Sequence, residues 1–535
     1  MYSLKSLALR AGGSPIFALL AGTVIVTSCI AVMHLSKRSA LLLASVPLLR
    51  SSSAEDVNVS WHPPSDSQVN DLDSALNSEG TYGFIFDSSE TPDEEYGSYN
   101  YCNMPHVRRT EYVKPDPEYE LQYVELIHRH HKRTPYSSNA FPVEPYRWDC
   151  DDQGLYYYGE AFEGRGSARS YWKAYTSDVN PFVPEGWIGT CQFPQITSGG
   201  LDDSWVHGKD LYGVYHDLLG FLPGKDEDWQ SKVRYRVTNN QITSQVAGMV
   251  VNAMWGVTDS FPLSIQATNI DSLEPQYSCP AGSDLSDGIK SDSNPRWKEH
   301  LDSAAELFSV LDDISGVPSG DEGFHASFDR YFDNLSSRQC HAKPLPCKIG
   351  SNSTCVTEEL ADKVYRLGQW EYSHMYRDAE DSLAASAASY GVWVAELAAN
   401  LRAATEGKND VVYTHNVAHD GSVSRLLSIL QVDEMVWPGM GAEVVFELYQ
   451  KGNRSESASQ SVSAGVSPED GDSHGTEAGS EAYYVRVLFN GQVLKSSSPA
   501  LGKLDMVPVE TLLGYFDGLV GRNAGLVKGL CESSE

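Results

Sequence analysis

Two short apolar segments that each end in a polar loop most constrain the fold of this 535-residue chain. Residues 121–127 (LQYVELI) predict a buried strand, and a basic loop that ends at Pro135 follows directly. Residues 410–414 (DVVYT) predict a second strand, and the loop after it holds His419 and Asp420. A long, mostly helical stretch separates the two strands. This order favours a sheet covered by helices, in which ligands bind at loops beyond the strand ends.

Hydrophobic periodicity predicts the other elements. Helices are predicted over residues 204–222, 242–255, 297–314, 382–404 and 422–430, and strands over residues 232–237, 441–449 and 483–489. Asn490 and Gly491 predict a turn. The order of elements favours an α/β fold, with a three-layer α/β/α core that is interrupted by an α-helical cap.

Composition suggests how the chain divides into segments. The α/β core is expected over residues 118–255 and 406–520, the cap over 256–405, an irregular stalk or lead-in over 55–117, and a C-terminal tail over 521–535. Residues 452–481 are dense in Ser, Gly and Glu, so we expect them to form a disordered surface loop.

The first 54 residues resemble a targeting segment. Residues 15–33 are an uncharged run of 19, which is long enough to span a bilayer as a signal anchor. Residues 40–49 form a second apolar patch before small residues, which is typical of a cleaved signal peptide. Both interpretations remain open, and membrane anchoring through residues 15–33 is the first of them.

Cysteines and glycosylation sequons favour an oxidising compartment. Eight of the nine cysteines follow the leader, an even number that allows four disulfides whose pairing the sequence leaves open. Sequons occur at Asn58, Asn334, Asn352 and Asn453. We therefore expect a secretory-pathway protein, either secreted, on the cell surface, or in the Golgi or ER lumen as a type II membrane protein.

Charge excludes one class of partner. The formal net charge is -32, and nucleic-acid binding depends on neutralising phosphates with Lys and Arg. No nucleic-acid partner is expected, whereas a local basic pocket for one small phosphate group is compatible with this charge.

The loop after the first strand carries a candidate phosphate site. Arg129 and Arg133 flank His130, and their planar guanidinium groups match the oxygens of a phosphate. A neutral imidazole between them can attack phosphorus and form a phosphohistidine, which splits one difficult step into two. The alternative is a solvated basic surface patch, because residues 128–133 are all basic or His.

The loop after the second strand supplies a candidate acid. Asp420, held protonated near the phosphate, can give a proton to the leaving oxygen, and His419 can donate a hydrogen bond to a phosphoryl oxygen. A His-Asp pair alone is common in loops, so its value lies in the combination with the first motif.

Together the two motifs resemble those of the histidine acid phosphatases, with Arg-His-x-x-Arg-x-Pro at residues 129–135 and His-Asp at 419–420. Residues 195–215 are similar to the Leu-Thr-x-x-Gly segment of the family. Residues 272–280, 344–357, 441–449 and 485–491 look similar to fungal members and to the 2-phosphoxylose phosphatase subgroup. The resemblance implies the three-layer fold with a helical cap, and catalysis without metal ligands or a cofactor. It implies that His130 is the nucleophile and Asp420 the proton donor, and that Arg129, Arg133 and His419 bind phosphate.

Two positions depart from the family pattern. His131 stands where the family has Gly. Ile242 stands where the family usually has a third phosphate-binding Arg, so Arg236 is expected to bind phosphate in its place. Arg234, Asn240 and Gln241 are further candidates for this contact.

The leading hypothesis is therefore a phosphoric monoester hydrolase of acidic optimum, an acid phosphatase of class EC 3.1.3.-. Its substrate is expected to be a small phosphomonoester or a phosphorylated glycan. The alternative is a catalytically weakened pseudophosphatase that acts as a lumenal or cell-surface binding protein. Ile242 supports this alternative, whereas the presence of both motifs opposes it.

Overall fold

A mixed sheet forms the centre of the protein. The computed structural model describes residues 57–81, 101–142, 147–150, 172–175, 179–182, 189–257, 261–452 and 482–532. Its strands in these ranges are β1 (Tyr119–Arg129), β2 (Val233–Val237), β3 (Tyr413–Ala418), β4 (Glu443–Lys451), β5 (Tyr483–Phe489), β6 (Gln492–Val493) and β7 (Val507–Pro508). Their order is β2-β3-β1-β4-β5-β6, with β7 also on β5. Strands β1, β2 and β3 are parallel, whereas β4 to β7 pair in antiparallel fashion.

Helices occupy most of the remaining described chain. They are α1 (Leu72–Asn77), α2 (Ser198–Tyr212), α3 (Gln241–Trp255), α4 (Pro280–Ile289), α5 (Pro295–Ser303), α6 (Ala305–Ser315), α7 (Glu322–His325), α8 (Asp329–Gln339), α9 (Glu358–Ser373), α10 (Ser382–Thr405), α11 (Asp420–Ile429), α12 (Val509–Val520) and α13 (Val527–Leu530). Short π-helical turns extend α2 and α9, over Gly213–Leu218 and His374–Asp378. Asn490 and Gly491 both have positive φ in the turn between β5 and β6, as predicted.

The sheet is covered on both faces. Side chains alternate along β1, so that Tyr123 and Ile127 pack in the core formed with α10, α11 and α12. Val124 and Leu126 pack in the opposite core, with α2 and α3. Both faces of β1 are therefore buried, and the predicted three-layer α/β/α architecture is confirmed.

The long segment between β2 and β3 contributes a separate helical core. Apolar side chains of α5 to α9 form this third core, which includes Trp297, Phe332 and Trp370. Helix α10 lies inside the segment predicted as the cap, yet it packs against the sheet with α11 and α12. The predicted limits of core and cap remain predictions.

The single helix predicted over residues 297–314 is wrong. Ala304, with φ -100° and ψ 6°, leaves helical geometry and separates α5 from α6. The break lets Trp297 of α5 and Leu311 of α6 both enter the cap core.

The irregular lead-in packs onto the body wherever the structure describes it. Val57 and Val59 contact the core of α12, and Trp61 donates its indole N–H to the carbonyl of Arg377 at 3.1 Å. Tyr101 and Cys102 are buried. These contacts differ from those of a free stalk, because apolar side chains of the lead-in are buried against the helices.

Four disulfides join the eight cysteines that follow the leader. The pairs are Cys102–Cys340, Cys150–Cys191, Cys279–Cys531 and Cys347–Cys355. Disulfides form and persist in oxidising environments. They therefore indicate an extracellular or secretory-pathway environment.

The predicted glycosylation sequons differ in burial, and the predicted leader lies outside the described residues. Asn58 and Asn352 are exposed, whereas Asn334 is fully buried and donates its side-chain N–H to the carbonyl of Asn139. Asn334 is thus unsuited to carry a glycan in the folded protein. Residues 15–33, Asn453 and most of the predicted disordered loop 452–481 lie outside the described residues. Within those that are described, none of the helices has the length and apolar character to span a membrane.

Candidate active site

The register of the parallel strands brings the two motif loops together. Arg129 on β1 lies opposite Ala418 on β3, so both strands end at the same edge of the sheet. His130 continues the pairing, because its backbone N–H donates to the carbonyl of Ala418 at 3.0 Å. The imidazole rings of His130 and His419 are consequently 5.5 Å apart between centroids.

The imidazole of His130 is held with one nitrogen free to react. Its Nδ1 lies 3.0 Å from the carbonyl oxygen of His131. A carbonyl only accepts, so Nδ1 carries the hydrogen and Nε2 carries the lone pair. Burial, followed by the charges of Arg133 and Arg129, lowers the pKa of His130 well below its ordinary value. The ring is therefore neutral and nucleophilic at Nε2.

Arg129 is fully buried at the edge of this site. Its Nη1 donates to the hydroxyl of Tyr101 at 3.0 Å and to the carbonyl of Pro438 at 2.6 Å. Its Nη2 is 3.1 Å from Oδ2 of Asp420. Its Nε has no hydrogen-bond partner among the described residues. A buried donor in this state is suited to an anion that enters the site.

Arg133 is positioned by a carboxylate from the cap. Its Nη1 is 2.9 Å from Oδ1 of Asp333 on α8, and its guanidinium lies over the ring of Tyr136 at 4.3 Å. Its Nε faces Nε2 of His130 at 3.4 Å. The other oxygen of Asp333 accepts from Tyr136 N and from Asn139 Nδ2. Asp333 therefore fixes both the arginine and the loop that follows it.

Asp420 begins α11 and keeps some access to solvent, with 23% of its side chain exposed. Its Oδ2 accepts from the indole N–H of Trp437 at 2.9 Å. Burial alone raises the pKa of Asp420, but Arg129, Trp437 and Arg133 outweigh it and lower the pKa below its ordinary value. The carboxylate is therefore ionised while the site holds no other anion.

His419 is the N-cap residue of α11. Its Nε2 lies 2.9 Å from the hydroxyl of Thr238 and 3.5 Å from Oε2 of Glu274. These contacts orient the ring from the β2 side of the sheet, and they place it beside His130.

The structure does not bring Arg236 together with these residues. Val233, Tyr235 and Val237 face α2 and α3, so Arg236 projects from the opposite face of β2. Its guanidinium contacts Glu396 of α10 at 2.7 Å, and also Gln266, Asp271 and Ser272. Ile242, in turn, is fully buried in the apolar core.

The first turn of α2 supports the nucleophile loop by close backbone contact. Thr197 donates its N–H to the carbonyl of Lys132 at 3.2 Å. A Cβ at Gly200 would lie only 2.0 Å from the same carbonyl oxygen. Only glycine allows this approach. The ammonium of Lys132 pairs with Asp203 of α2 at 3.0 Å.

A third carboxyl group lies in the cleft. Asp329 stands one helical turn before Asp333 on α8, and part of its surface is open to solvent. Burial of its carboxyl group, followed by repulsion from Asp333, Asp420 and Glu371, raises its pKa to about 7. Asp329 therefore changes charge near neutral pH, close to the phosphate-binding candidates.

Sequence reasoning indicated the residues of the two loops, which the structure brings together, but it did not indicate the residues that contact them from elsewhere in the fold. Tyr101, Asp333 and Trp437 come from the lead-in, from α8 and from the segment before β4. They lie 28, 200 and 17 residues in sequence from the residues they contact, and none lies in a recognisable local pattern. Their only sequence signal is residue type, since buried arginines need acceptors and a buried carboxylate needs donors.

Comparisons with known proteins identify solved structures of distant similarity. The apo form of Hafnia alvei phytase covers 79% of this chain and 100% of its own, at 13% identity and a TM-score of 0.47. The phytase from Citrobacter braakii covers 71% and 86%, at 12% identity and a TM-score of 0.42. The Bifidobacterium longum multiple inositol polyphosphate phosphatase covers 73% and 91%, at 10% identity and a TM-score of 0.39.

At these identities and TM-scores the similarities assign neither a family nor a substrate. No family model matches the chain, and no curated protein matches it either. The resemblance to fungal members and to the 2-phosphoxylose phosphatase subgroup remains a prediction. The function is therefore argued from the site itself.

Proposed function

We propose that the protein is an acid phosphatase that hydrolyses phosphomonoesters through a phosphohistidine on His130. The observation that carries this proposal is the orientation of His130. The hydrogen bond from Nδ1 to the carbonyl of His131 leaves a neutral Nε2 lone pair beside two buried arginines. A neutral nucleophile amid cationic groups is the arrangement that attack on a phosphate ester requires.

The reaction has two displacement steps. His130 Nε2 attacks phosphorus, a P–N bond forms, and the P–O bond to the alcohol breaks. Asp420, which has taken up a proton, gives it to the leaving oxygen. Water then attacks the phosphohistidine and loses a proton to Asp420. The P–N bond breaks, and inorganic phosphate leaves.

Three groups are assigned to the phosphoryl oxygens. Arg129 offers its unpartnered Nε, Arg133 offers the N–H groups beside Nε2 of His130, and His419 faces the nucleophile ring. Arg236 is assigned instead to holding residues 266–272 against α10, because acidic and polar side chains occupy its guanidinium. The substrate class is a small phosphomonoester or a phosphorylated glycan, and no cofactor enters the scheme.

The second candidate is a weakened phosphatase that binds phosphorylated ligands in the lumen or at the cell surface. It is favoured by Ile242, whose side chain is fully buried in the apolar core and makes no phosphate contact. Loss of one charge-assisted contact at a phosphate costs about 2–4 kcal/mol of transition-state stabilisation. Under either function the disulfides support an extracellular or secretory-pathway location, and we propose that the leader acts either as a membrane anchor through residues 15–33 or as a cleaved signal peptide.

Trapping the intermediate tests the proposal. The full chain, expressed in a secretory host, is mixed with p-nitrophenyl phosphate at acidic pH and quenched in alkaline denaturant, which preserves phosphohistidine. We expect a phosphorylated peptide that contains residues 129–133 in the native protein and none in His130→Ala.

A matched control is His216→Ala, which removes a histidine outside the site. It should keep both turnover and label. A native protein that binds phosphate but neither turns over nor becomes labelled would establish the second candidate instead.

A further inference from the structure

A cluster of three histidines adjoins the nucleophile loop. His128 is the next-to-last residue of β1, His131 follows His130 in the loop, and His207 lies on α2. One ligand nitrogen from each ring lies within 4.8 Å of the other two. All three side chains have 0% exposure. The proposed reaction uses none of them.

Hydrogen bonds direct two of the lone pairs into the cluster. His128 Nδ1 lies 2.8 Å from the carbonyl oxygen of Arg129 and therefore donates its hydrogen there, which leaves the lone pair on Nε2. His207 Nε2 donates to the carboxylate of Glu443 at 2.9 Å, which leaves the lone pair on Nδ1. Histidines that bind metals characteristically donate their other N–H to a carbonyl or a carboxylate in this way.

Direct hydrogen bonding within the described part of the chain accounts for one ring nitrogen of His131 and leaves the other without a partner. Its Nε2 lies 3.1 Å from Nδ1 of His207, but its Nδ1 has no partner among the described residues. Buried polar atoms are rarely left unpaired. The ring also presses on Gly441, where a Cβ would lie 2.5 Å from His131 Cε1. The backbone thus makes room for an imidazole at this place.

We propose that His128, His131 and His207 bind one zinc ion in a buried structural site. Three imidazoles without a carboxylate ligand suit zinc and exclude calcium and magnesium, which prefer oxygen. Tetrahedral zinc at about 2.0–2.1 Å sets its ligand nitrogens about 3.4 Å apart. Zinc binding therefore requires the ligand nitrogens, which lie within 4.8 Å of one another, to move to this spacing. The fourth ligand is His415, whose Nε2 lies 2.9 Å from that of His128, or a water.

This ion joins three parts of the chain. It ties the end of β1 and the loop after it to α2, and Glu443 of β4 holds the α2 ligand from behind. The ion has no contact with the substrate, so it positions the loop rather than taking part in catalysis. It also gives a reason for His131 at the position where the sequence resemblance calls for Gly. The site is independent of the proposed phosphatase activity.

Metal content of the full chain tests the proposal. The protein is purified with a histidine-free affinity tag and its metals are measured by inductively coupled plasma mass spectrometry. We expect one zinc per chain. After removal of zinc by a chelator, we expect a lower thermal midpoint, and reloading with Co²⁺ should give the intense visible absorption of four-coordinate cobalt.

Variants locate the ion. His207→Ala and His131→Ala should each hold at least ten times less zinc, whereas His216→Ala, on the turn that continues α2, should hold one zinc. If these variants fail to fold, the cobalt spectrum of the native protein decides whether the metal is bound in a four-coordinate site. A native protein without stoichiometric zinc and without cobalt absorption would overturn the proposal, and so would a folded His207→Ala that keeps its zinc. None of these readouts depends on activity.

Discussion

Asp420 must change its protonation state during the proposed reaction. In the free site Arg129 and Trp437 stabilise its carboxylate and lower its pKa. A bound phosphate competes for Arg129 and adds negative charge nearby, and both effects favour the protonated acid. Phosphate binding therefore converts Asp420 from an ion-pair partner into a proton donor, and low pH promotes the same change.

The choice of leaving group tests this role of Asp420. Asp420→Asn should lower kcat for an alkyl phosphate about 10²–10⁴-fold, because general acid catalysis typically contributes that much. The loss should be far smaller for p-nitrophenyl phosphate, since p-nitrophenolate leaves without a proton. Steady-state kinetics on both substrates measure the difference. Equal losses on both would show that Asp420 acts by another route.

Asp329 predicts a limit on activity at higher pH. Its pKa of about 7 means that it is neutral below that pH and ionised above it. The ionised carboxylate repels a phosphate dianion that approaches Arg133, so kcat/KM should fall as pH rises through 7. Asp329→Asn removes this charge and should shift the fall toward higher pH. Profiles of kcat/KM against pH for p-nitrophenyl phosphate provide the measurement.

A surface aspartate serves as the control for this profile. Asp302→Asn alters an exposed pair with Lys298 on α5 and should leave the profile unchanged. If Asp329→Asn and the native protein lose activity at the same pH, another group sets the limit.

At the scale of elements, we expect the contact between α2 and the loop after β1 to set the position of His130. Gly200→Ala places a Cβ 2.0 Å from the carbonyl of Lys132, so the loop or the helix must shift. Overpacking of this kind costs about 1–3 kcal/mol. We expect a lower thermal midpoint and at least a tenfold loss of kcat/KM, measured by calorimetry and kinetics.

The adjacent glycine provides a matched control. A Cβ at Gly199 meets no atom closer than 3.6 Å, and Ala has the higher helix propensity. Gly199→Ala should therefore retain activity and lose no stability. Similar losses in both variants would mean that helix flexibility, rather than this close contact, matters.

These elements also show what sequence patterns determine. The presence of β1 and β3 was predictable because each region contains a short, largely apolar segment, but β3 begins at Tyr413 and includes His415 and Asn416, beyond the predicted range 410–414. Their polar loops were predictable as a site because parallel strands end at one edge of the sheet. The break at Ala304 was missed because both halves of that region keep helical periodicity. Packing against the cap core, rather than local preference, decides where the helix turns.

Individual site residues also divide into those that the sequence indicated and those that only the folded structure reveals. The sequence indicated His130, Arg129 and Asp420 from their chemistry, and the structure brings them together while their roles remain predictions. The position of Arg236 could not be predicted in this way. The face of β2 from which it projects becomes evident only once Val233 and Tyr235 are seen packed on α3. The partners Asp333 and Trp437 depend on tertiary folding and leave no periodic signal.

At the scale of the whole molecule, disulfides join parts that are distant in sequence. Cys102–Cys340 links the lead-in to the end of α8, and Cys279–Cys531 links the start of α4 to the C-terminal end of α13. The lead-in and the C-terminal segment are thereby fixed to the body that carries the site. Cys347–Cys355 instead closes a short loop inside the cap region.

The separation of the paired cysteines predicts how much each disulfide stabilises the protein. The pairs Cys279–Cys531 and Cys347–Cys355 span 252 and 8 residues. In the chain-entropy account, this difference in loop length corresponds to about 3 kcal/mol of unfolding free energy. The double variant Cys279→Ser/Cys531→Ser should therefore unfold at a much lower guanidinium concentration than Cys347→Ser/Cys355→Ser, with the native protein above both. If the short-loop variant loses as much stability as the long-loop variant, native-state packing around the sulfurs, rather than restriction of the unfolded chain, determines the effect.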